Sequence, residues 1–254
     1  ILRLANAARP SGFGRDVDRF SIEGATEVRI AGRAFQAMRH RINKQISERT
    51  SLLAGVSHDL KTPLTRMRLQ LAVIEIEDDT KIEFEKELLE LEEMIDGYLE
   101  FARDDREEQM VDASLFKLLQ QASITSDPSG DKINILPPND NIPIFPIQVQ
   151  SIRRALTNLL TNAIRYAGKA TAQIQIFDDH SEIIIDDNGP GIPRDKRAEV
   201  ILPFTRLENS RNSKTGGTGL GLSIAKNSAL NHGGELILED SPLGGLRVRL
   251  LLPL

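Results

Sequence analysis

Apolar residues recur at steps of three and four along most of the first hundred residues, and this spacing constrains the fold more than any other feature. One series begins at Val28, Ala31, Phe35, Met38, Ile42 and Ile46; after polar residues at 47–50 it resumes at Leu53, Val56, Leu60, Leu64, Met67, Leu71 and Ile74. A second series comprises Phe84, Leu88, Leu91, Ile95, Tyr98 and Ala102. Such spacing places one apolar stripe on a helix. It predicts two long helices separated by an acidic turn at 75–80, with a local bend just after His58, where Pro63 removes a backbone donor.

Two antiparallel helices cannot bury apolar stripes on both flanks. A second copy of the chain would complete a four-helix bundle, so the pattern predicts a homodimer. The glutamate-rich outer face of the second helix is typical of a solvated surface.

The pattern changes near Met110, where short strand-like segments begin to alternate with helices. Strands are predicted at 133–136, 142–145, 172–177, 182–186, 235–239 and 246–252, with helices ending near 123, 168 and 231. Gly168 is a plausible helix C-cap. Residues 110–254 are therefore predicted to form an α/β layer. Residues 1–8 suggest a short helix, and residues 9–14 a loop.

Composition excludes several classes of protein. The net charge of −5 argues against general nucleic-acid binding, and the absence of cysteine excludes disulfides and thiolate zinc sites. No run of 18 apolar residues is found, and no signal peptide is visible. Because the chain begins with Ile1, we expect a fragment whose membrane segments, if the parent protein has them, precede it.

The segment Ser57–Leu64 (SHDLKTPL) carries the clearest chemical signal on the helices. His58 lies two residues from Val56 and from Leu60, which places it about 200° around the helix from them, on the outward face. Asp59 can accept a hydrogen bond from one ring nitrogen and leave the other as a nucleophile. Thr62 shares the outward face, one turn further on.

Three segments of the second half carry groups that can each bind a cation, an exocyclic amine or a phosphate. Asn158 and Asn162 lie four apart on one helix face and can hold a hydrated cation or phosphate oxygens, although ordinary surface asparagines would look the same. Arg165 and Tyr166 add a cation and an aromatic ring. Asp187 ends a strand and can accept from an exocyclic amine; a tight turn is the alternative.

The third segment is glycine-rich and opens a helix. Free amides and the helix dipole at the start of Thr215–Leu222 (TGGTGLGL) favour a phosphate, although this pattern alone is weak and is not a Walker loop. Arg206, Arg211 and Lys214 in the preceding loop can add positive charge. His40, His180 and His232 are interpreted as structural, with His232 near the last carbonyls of a helix.

The order of these segments resembles the sensor histidine kinases of two-component signalling. Ser57–Leu64 is similar to the H box, 158–166 (NLLTNAIRY) to the N box, 187–192 (DNGPGI) to the G1 box, 203–207 (PFTRL) to the F box, and 217–222 (GTGLGL) to the G2 box. The sequence around His58 is most similar to the EnvZ-like osmosensor subgroup. Residues 1–47 resemble part of a HAMP signalling domain.

The resemblance implies a role for each motif. His58 would accept the phosphoryl group, Asp59 would act as its general base, and Thr62 would help to place water for regulator dephosphorylation. Asn162 would ligate Mg²⁺, Asn158 would support the phosphates, and Asp187 would bind the adenine amine. The remaining predicted nucleotide-site residues are Arg165, Tyr166, Gly189, Gly191, Ile192, Phe204, Arg206, Thr215, Gly217, Thr218, Gly219, Leu220 and Gly221.

The predicted fold class is α plus α/β, in three parts. HAMP-like helices (1–47) precede a dimeric antiparallel hairpin (48–109), which forms a four-helix bundle as a dimer. An α/β sandwich of the histidine kinase, gyrase and chaperone ATPase type (110–254) follows. ATP and Mg²⁺ are the expected cofactors, and a response regulator receiver domain is the expected partner. The expected setting is the cytoplasmic portion of a bacterial inner-membrane protein.

Two other functions fit parts of the pattern. A gyrase- or chaperone-type ATPase would use the same sandwich but has no need of an H box. A non-enzymatic dimeric adaptor would keep the helices and lose nucleotide binding, which the intact N, G1 and G2 boxes oppose.

Overall fold

A computed structural model of the chain describes residues 26–74, 77–102, 108–138, 142–206 and 218–254. The predicted helix at 1–8 and loop at 9–14 lie outside these residues, as do Arg211, Lys214, Thr215 and Gly217. The described chain forms two compact units, one helical and one built on a sheet.

The helical unit contains two long helices. Helix α1 (Thr26–Val73) continues through the polar residues 47–50 and through Pro63, and helix α2 spans Asp78–Ala102. The predicted acidic turn at 75–80 extends too far toward the C-terminus, because Asp78 and Asp79 already belong to the first turn of α2. Acidic side chains stabilise a helix at this end, where the macrodipole is positive. No helix in the described ranges is long and apolar enough to cross a membrane.

Only part of each apolar stripe is buried within one copy of the chain. Leu64 and Leu71 of α1 pack with Leu88 of α2, and Ile95 lies against them. Val56 and Leu60 belong to the same stripe but remain 52% and 46% exposed. Part of the apolar stripe of the helical unit therefore remains exposed in a single copy of the chain.

Two ion pairs join the helices on their polar side. Lys61 contacts Asp96 at 2.5 Å, and Arg68 contacts Glu92 at 3.3 Å. Exposed pairs of this kind contribute little to stability, so they mainly reinforce the antiparallel register set by the leucines.

The sheet unit follows the predicted alternation of strands and helices. Its strands are β1 (Val111–Ser114), β2 (Ile133–Ile135), β3 (Ile144–Ile147), β4 (Ala170–Ile176), β5 (His180–Asp187), β6 (Glu235–Asp240) and β7 (Leu246–Pro253). Its helices are α3 (Leu115–Ser126), α4 (Val149–Ala167), α5 (Arg197–Val200) and α6 (Gly221–Asn231), with a 3₁₀ turn at Arg194–Lys196.

The main sheet has the strand order β2-β4-β5-β7-β6. The β2–β4 pair is parallel and the other neighbours are antiparallel. Strands β1 and β3 form a separate antiparallel pair. The sheet is thus mixed.

Strand β3 begins two residues later than the sequence predicts. Ile144 is 67% exposed, whereas Phe145 and Ile147 point into the core. Pro146 lies inside the strand, where proline is tolerated because, among the described strands, β3 pairs with β1 alone.

The core lies between the helices and one face of the sheet. Ile183 and Ile185 of β5 join the core with Leu156 and Leu160 of α4. The intervening residues of β5 point to the opposite face, where Glu182 pairs with Arg249 and Asp186 with Arg247. This period of two places Asp187, the last residue of β5, on the same face of the sheet as Ile183 and Ile185.

Candidate nucleotide and phosphoacceptor sites

Helix α4 carries the asparagine pair and is firmly bounded at its C-terminal end. Gly168 adopts the left-handed conformation (φ 79°) and donates to the Ile164 carbonyl at 2.8 Å, which confirms the predicted C-cap. The apolar side of the helix, including Ala155 and Leu159, is buried.

Asn158 and Asn162 are half-buried and lie against the start of α6. A Cβ atom added to Gly221 would lie 3.2 Å from Asn162 Nδ2 and 3.5 Å from Asn158 Oδ1. The N box and the end of the G2 box, 59 positions apart between 162 and 221, therefore meet in the fold. The missing side chain at Gly221 keeps the amide pair uncovered on that side.

Asp187 is buried at the end of β5, and its side chain is held by the backbone. Its Oδ1 atom accepts from the amides of Gly189 at 2.9 Å and Leu246 at 3.0 Å. In the described part of the chain both bonds fall on Oδ1, so the lone pairs of Oδ2 can accept from a ligand amine.

The glycines after Asp187 permit close backbone approach. A Cβ atom on Gly189 would lie 3.2 Å from the Tyr166 carbonyl oxygen and 3.1 Å from Ala167 Cβ, so the G1 box lies against the end of α4. Gly191 has φ 67° and faces the Gly245 carbonyl. These contacts bring the N and G1 boxes together.

The neighbouring Asp186 ties β5 to β7 on the opposite face of the sheet. Its two oxygens accept from Arg247 at 2.8 Å each, and Ser241 donates to Oδ1 at 3.0 Å. The hydrogen bond to Asp186 raises the pKa of Arg247. This pair of a buried carboxylate and a half-buried guanidinium fixes the end of β5, and hence the backbone of Asp187.

The remaining predicted nucleotide-site residues occupy varied positions. Arg165, Tyr166 and Arg206 are exposed, and Ile192 packs partly against the core. Phe204 is 45% exposed with φ 65°, a conformation unfavourable for a large side chain.

The described end of the glycine-rich segment clusters with the helical unit as far as Leu220, which is buried. Gly219 has φ 70°. Thr218 lies against α2, where a Cβ atom on Gly97 would be 2.8 Å from Thr218 Cγ2. Gly97 thus provides a notch in α2 that Thr218 fills.

The phosphoacceptor segment lies wholly within α1. His58, Asp59 and Thr62 share one uninterrupted helix, and the side chains of Asp59 and Thr62 are exposed. Asp59 and Thr62 lie three residues apart on one face of the helix, so this part of its surface is open to another molecule.

The residues at the asparagine pair suit a magnesium–nucleotide complex better than a bare metal. No cluster of three or more histidine, aspartate or glutamate side chains able to hold a metal is found in the described ranges. Mg²⁺ typically takes one or two protein oxygens and completes its shell with phosphates and water. The amide oxygen of Asn158 faces Gly221 and matches that requirement, whereas Asn162 presents its Nδ2 atom to the glycine.

Sequence reasoning missed two contributors to this region. Gly245 approaches Asp187 so closely that no side chain fits there; its adjacency to Gly244 was the available signal. Glu108 accepts hydrogen bonds from the backbone amides of Gln150 and Ser151. No local sequence pattern predicts this contact.

Two family models match the chain. The model described as histidine kinase-, DNA gyrase B- and HSP90-like ATPase matches residues 148–254, and the His Kinase A (phospho-acceptor) domain matches residues 48–107.

Two curated relatives align along nearly the whole chain. The sensor histidine kinase GtrS of Pseudomonas aeruginosa is 33% identical over 253 residues, which cover 100% of this chain and 52% of the relative. The sensor histidine kinase CpxA of Escherichia coli K12 is 30% identical over 263 residues, covering 99% of this chain and 57% of that protein. The chain thus spans about half the length of the curated relatives it matches.

Among solved structures, full-length ShkA in complex with AMPPNP resembles this chain with a TM-score of 0.60. The identity is 22%, and the match covers 80% of this chain and 45% of that one. At this identity the likeness supports the fold alone.

Proposed function

This chain belongs to the sensor histidine kinases, and on that premise we propose that it transfers the γ-phosphoryl group of ATP to His58 and then to an aspartate of a receiver domain. The observation that carries the proposal is the meeting of Asn158 and Asn162 with the start of α6 at Gly221. That meeting joins an amide pair to a helix N-terminus, a combination suited to a polyphosphate.

The first step forms a nitrogen–phosphorus bond. A ring nitrogen of His58 attacks the γ-phosphorus in line, the bond to the β,γ-bridging oxygen breaks, and ADP leaves. The ring proton passes to Asp59, the general base. Catalysis consists mainly of positioning and charge neutralisation, as in other phosphoryl transfers.

The nucleotide residues would divide between the two ends of ATP. Asp187 would accept from the adenine amine, with Gly189, Gly191 and Ile192 forming the floor of the pocket. Asn158 would contact the phosphates, and Asn162 would hold Mg²⁺, which neutralises phosphate charge when bound.

The lid residues would close over the triphosphate. Arg165, Tyr166 and Arg206 would supply charge and an aromatic face at the mouth, and Phe204 would anchor the lid by packing. The glycine-rich segment would wrap the phosphates through Thr215, Gly217, Thr218, Gly219, Leu220 and Gly221.

The second step moves the phosphoryl group from His58 to a carboxylate of the receiver domain. Thr62, one turn from His58 on the exposed side of α1, would also help to place water for hydrolysis of the regulator acyl phosphate. The proposed activities are therefore those of a kinase and of a phosphatase for the phosphorylated regulator.

A homodimer accounts for the apolar surface of the helical unit. Met67 of α1 and Phe84, Met94 and Tyr98 of α2 are between 44% and 50% exposed in a single copy. A second hairpin would cover this surface and complete a four-helix bundle. We place the unit on the cytoplasmic side of a membrane sensor, where ATP and the receiver domain occur, with HAMP-like helices in residues 1–47.

The decisive experiment incubates the chain with Mg²⁺ and γ-labelled ATP and maps acid-labile, alkali-stable phosphate. His58→Ala should abolish labelling and leave nucleotide affinity unchanged. His40→Ala is the matched control, because His40 is an exposed histidine of the same helix. Undiminished label in His58→Ala would refute the assignment. ATP hydrolysis without any phosphohistidine would favour the gyrase-type ATPase, and absence of nucleotide binding would favour the adaptor.

A further inference from the structure

The N-terminal end of α4 is capped by residues distant in sequence. Gln150 and Ser151 donate their amides to the two carboxylate oxygens of Glu108 at 2.6 and 3.0 Å. The Gln148 side chain donates to the Glu108 carbonyl at 2.9 Å. Glu108 thus makes three hydrogen bonds to one helix end, through both its side chain and its backbone.

The backbone amide of Gln148, the residue before α4, has its hydrogen-bond partner just beyond the end of α6. Gln148 donates its backbone amide to His232 Nε2 at 3.0 Å, and His232 Nδ1 contacts the Ser228 carbonyl at 2.7 Å. Because Nε2 accepts, the proton lies on Nδ1. The Ser151 and Ser228 hydroxyls also bond to each other at 2.6 Å, so α4 and α6 are joined beside the Glu108 contact.

The position of Glu108 in the chain gives this cap a further meaning. Helix α2 ends at Ala102, and β1 begins at Val111. From Ala102 to Glu108 the backbone spans at most about 20 Å, whereas from Ala102 to Val111 it spans about 30 Å. Glu108 is thus the first described residue after α2, and it is already hydrogen-bonded to the sheet unit.

We propose that Glu108 is a positioning residue that shortens the connection between the histidine-bearing helices and the nucleotide-binding unit. The inference rests on the proposed kinase function, in which nucleotide on one unit must reach His58 on the other. A shorter connection raises the effective concentration of the reacting groups, because this concentration falls steeply as a tether lengthens.

Loss of the carboxylate should therefore separate catalysis from binding. Glu108→Ala releases residues 108–110, so the rate of His58 phosphorylation at saturating ATP falls by about twofold. The ATP dissociation constant stays the same, because α4 keeps its packing and its bond from Gln148 to His232.

Three variants are compared in the full chain. Glu108→Ala removes both acceptors, Glu108→Gln keeps one neutral acceptor and should retain an intermediate rate, and Gln109→Ala changes an exposed neighbour and should behave as wild type. Thermal melting checks that each variant folds. Amide hydrogen exchange of residues 108–110 and of Gln150 and Ser151 reports the anchor directly, and should accelerate in Glu108→Ala.

The outcomes separate the two proposals. An unchanged phosphorylation rate, or a parallel loss of ATP affinity, overturns the positioning role. Unchanged exchange overturns the anchor itself, whatever the activity. If the wild-type chain makes no phosphohistidine, the proposed function fails, while accelerated exchange in Glu108→Ala still upholds the anchor.

Discussion

Gly245→Ala should disable the adenine end of the site through a single methyl group. The added Cβ atom would overlap Asp187 Oδ1 and lie 2.5 Å from the Gly189 amide nitrogen and 2.7 Å from the Asp187 carbonyl oxygen. Two of these three neighbours are backbone atoms, which cannot rotate away. The carboxylate must therefore move, and its bonds to Gly189 and Leu246 must lengthen or break.

The magnitude follows from those two bonds. Each hydrogen bond to a charged acceptor contributes about 1.5–3 kcal/mol, and overpacking itself costs about 1–3 kcal/mol. With partial relaxation we expect a loss of about 2–4 kcal/mol in the free energy of unfolding, which lowers the melting temperature by about 5–15 °C. Displacement of Asp187 should also weaken ATP binding by at least about tenfold, since one such bond exceeds 1.4 kcal/mol.

The assay is a thermal melt with and without nucleotide, followed by an ATP titration below the melting range. Gly55→Ala is the matched control, because nothing lies within 4 Å of its added Cβ atom and alanine favours a helix by up to about 1 kcal/mol. Wild-type melting and wild-type ATP affinity in Gly245→Ala would refute the reasoning.

Three further predictions concern other parts of the molecule. Arg249→Ala should lower the free energy of unfolding in urea by up to about 3–5 kcal/mol, because the Glu182 carboxylate, 3% exposed in its side chain, loses both hydrogen bonds from Arg249 and keeps the one to His180. Burial raises the pKa of Glu182, but hydrogen bonds from Arg249 and His180 more than offset this and hold it below its usual value. The pKa of His180 is raised above its usual 6.5, first by the hydrogen bond to Asp179 and next by the one to Glu182. The stabilisation from protonated His180 is therefore complete below pH 6.5 and is lost as the pH rises through the pKa of the folded state. The free energy of unfolding in urea, measured across this pH range, should show the decline. Thr62→Ala should slow dephosphorylation of a receiver domain more than autophosphorylation, as measured with both labelled proteins.

Each of these predictions has its own control. Arg194→Ala, at a side chain that is 81% exposed, should cost less than about 1 kcal/mol, and an equal loss in both variants would contradict the burial argument. The decline with pH should vanish in His180→Gln, and its persistence would assign it to another group. Thr65→Ala alters an exposed threonine of the same helix whose hydroxyl donates to the Lys61 carbonyl; equal losses of both activities in Thr62→Ala would refute a separate phosphatase role.

Local signals in the sequence predicted most of the elements that carry the site. Helix α4 was predicted from its regular apolar spacing and from Gly168 at its end, whose φ of 79° few other residues adopt easily. Strand β5 and its terminal Asp187 were likewise predicted, because a hydrophobic run followed by glycine and proline marks a strand that ends in a turn.

Contacts between distant residues could not be predicted in this way. The cap from Glu108 to Gln150 and the close approach of Gly245 to Asp187 depend on how β7 and α4 assemble, not on neighbouring residues. Helix α5 comprises only Arg197–Val200, too short for any periodicity to show. The end of β3 at Ile147 was not predicted, because Pro146 argues against a strand unless one edge of that strand is unpaired.

The continuity of α1 through Pro63 and the polar residues 47–50 has a mechanical consequence. A helix of 48 residues is about 72 Å long, and each residue along it advances by about 1.5 Å but turns by about 100°. Sliding the helix along its axis by one residue's rise would move residue 58 by only about 1.5 Å, whereas rotating the helix about its axis by about 100° would turn the direction in which that residue leaves the helix by the same angle. A torsional input at Thr26 is therefore far better suited than a push to alter what His58 encounters.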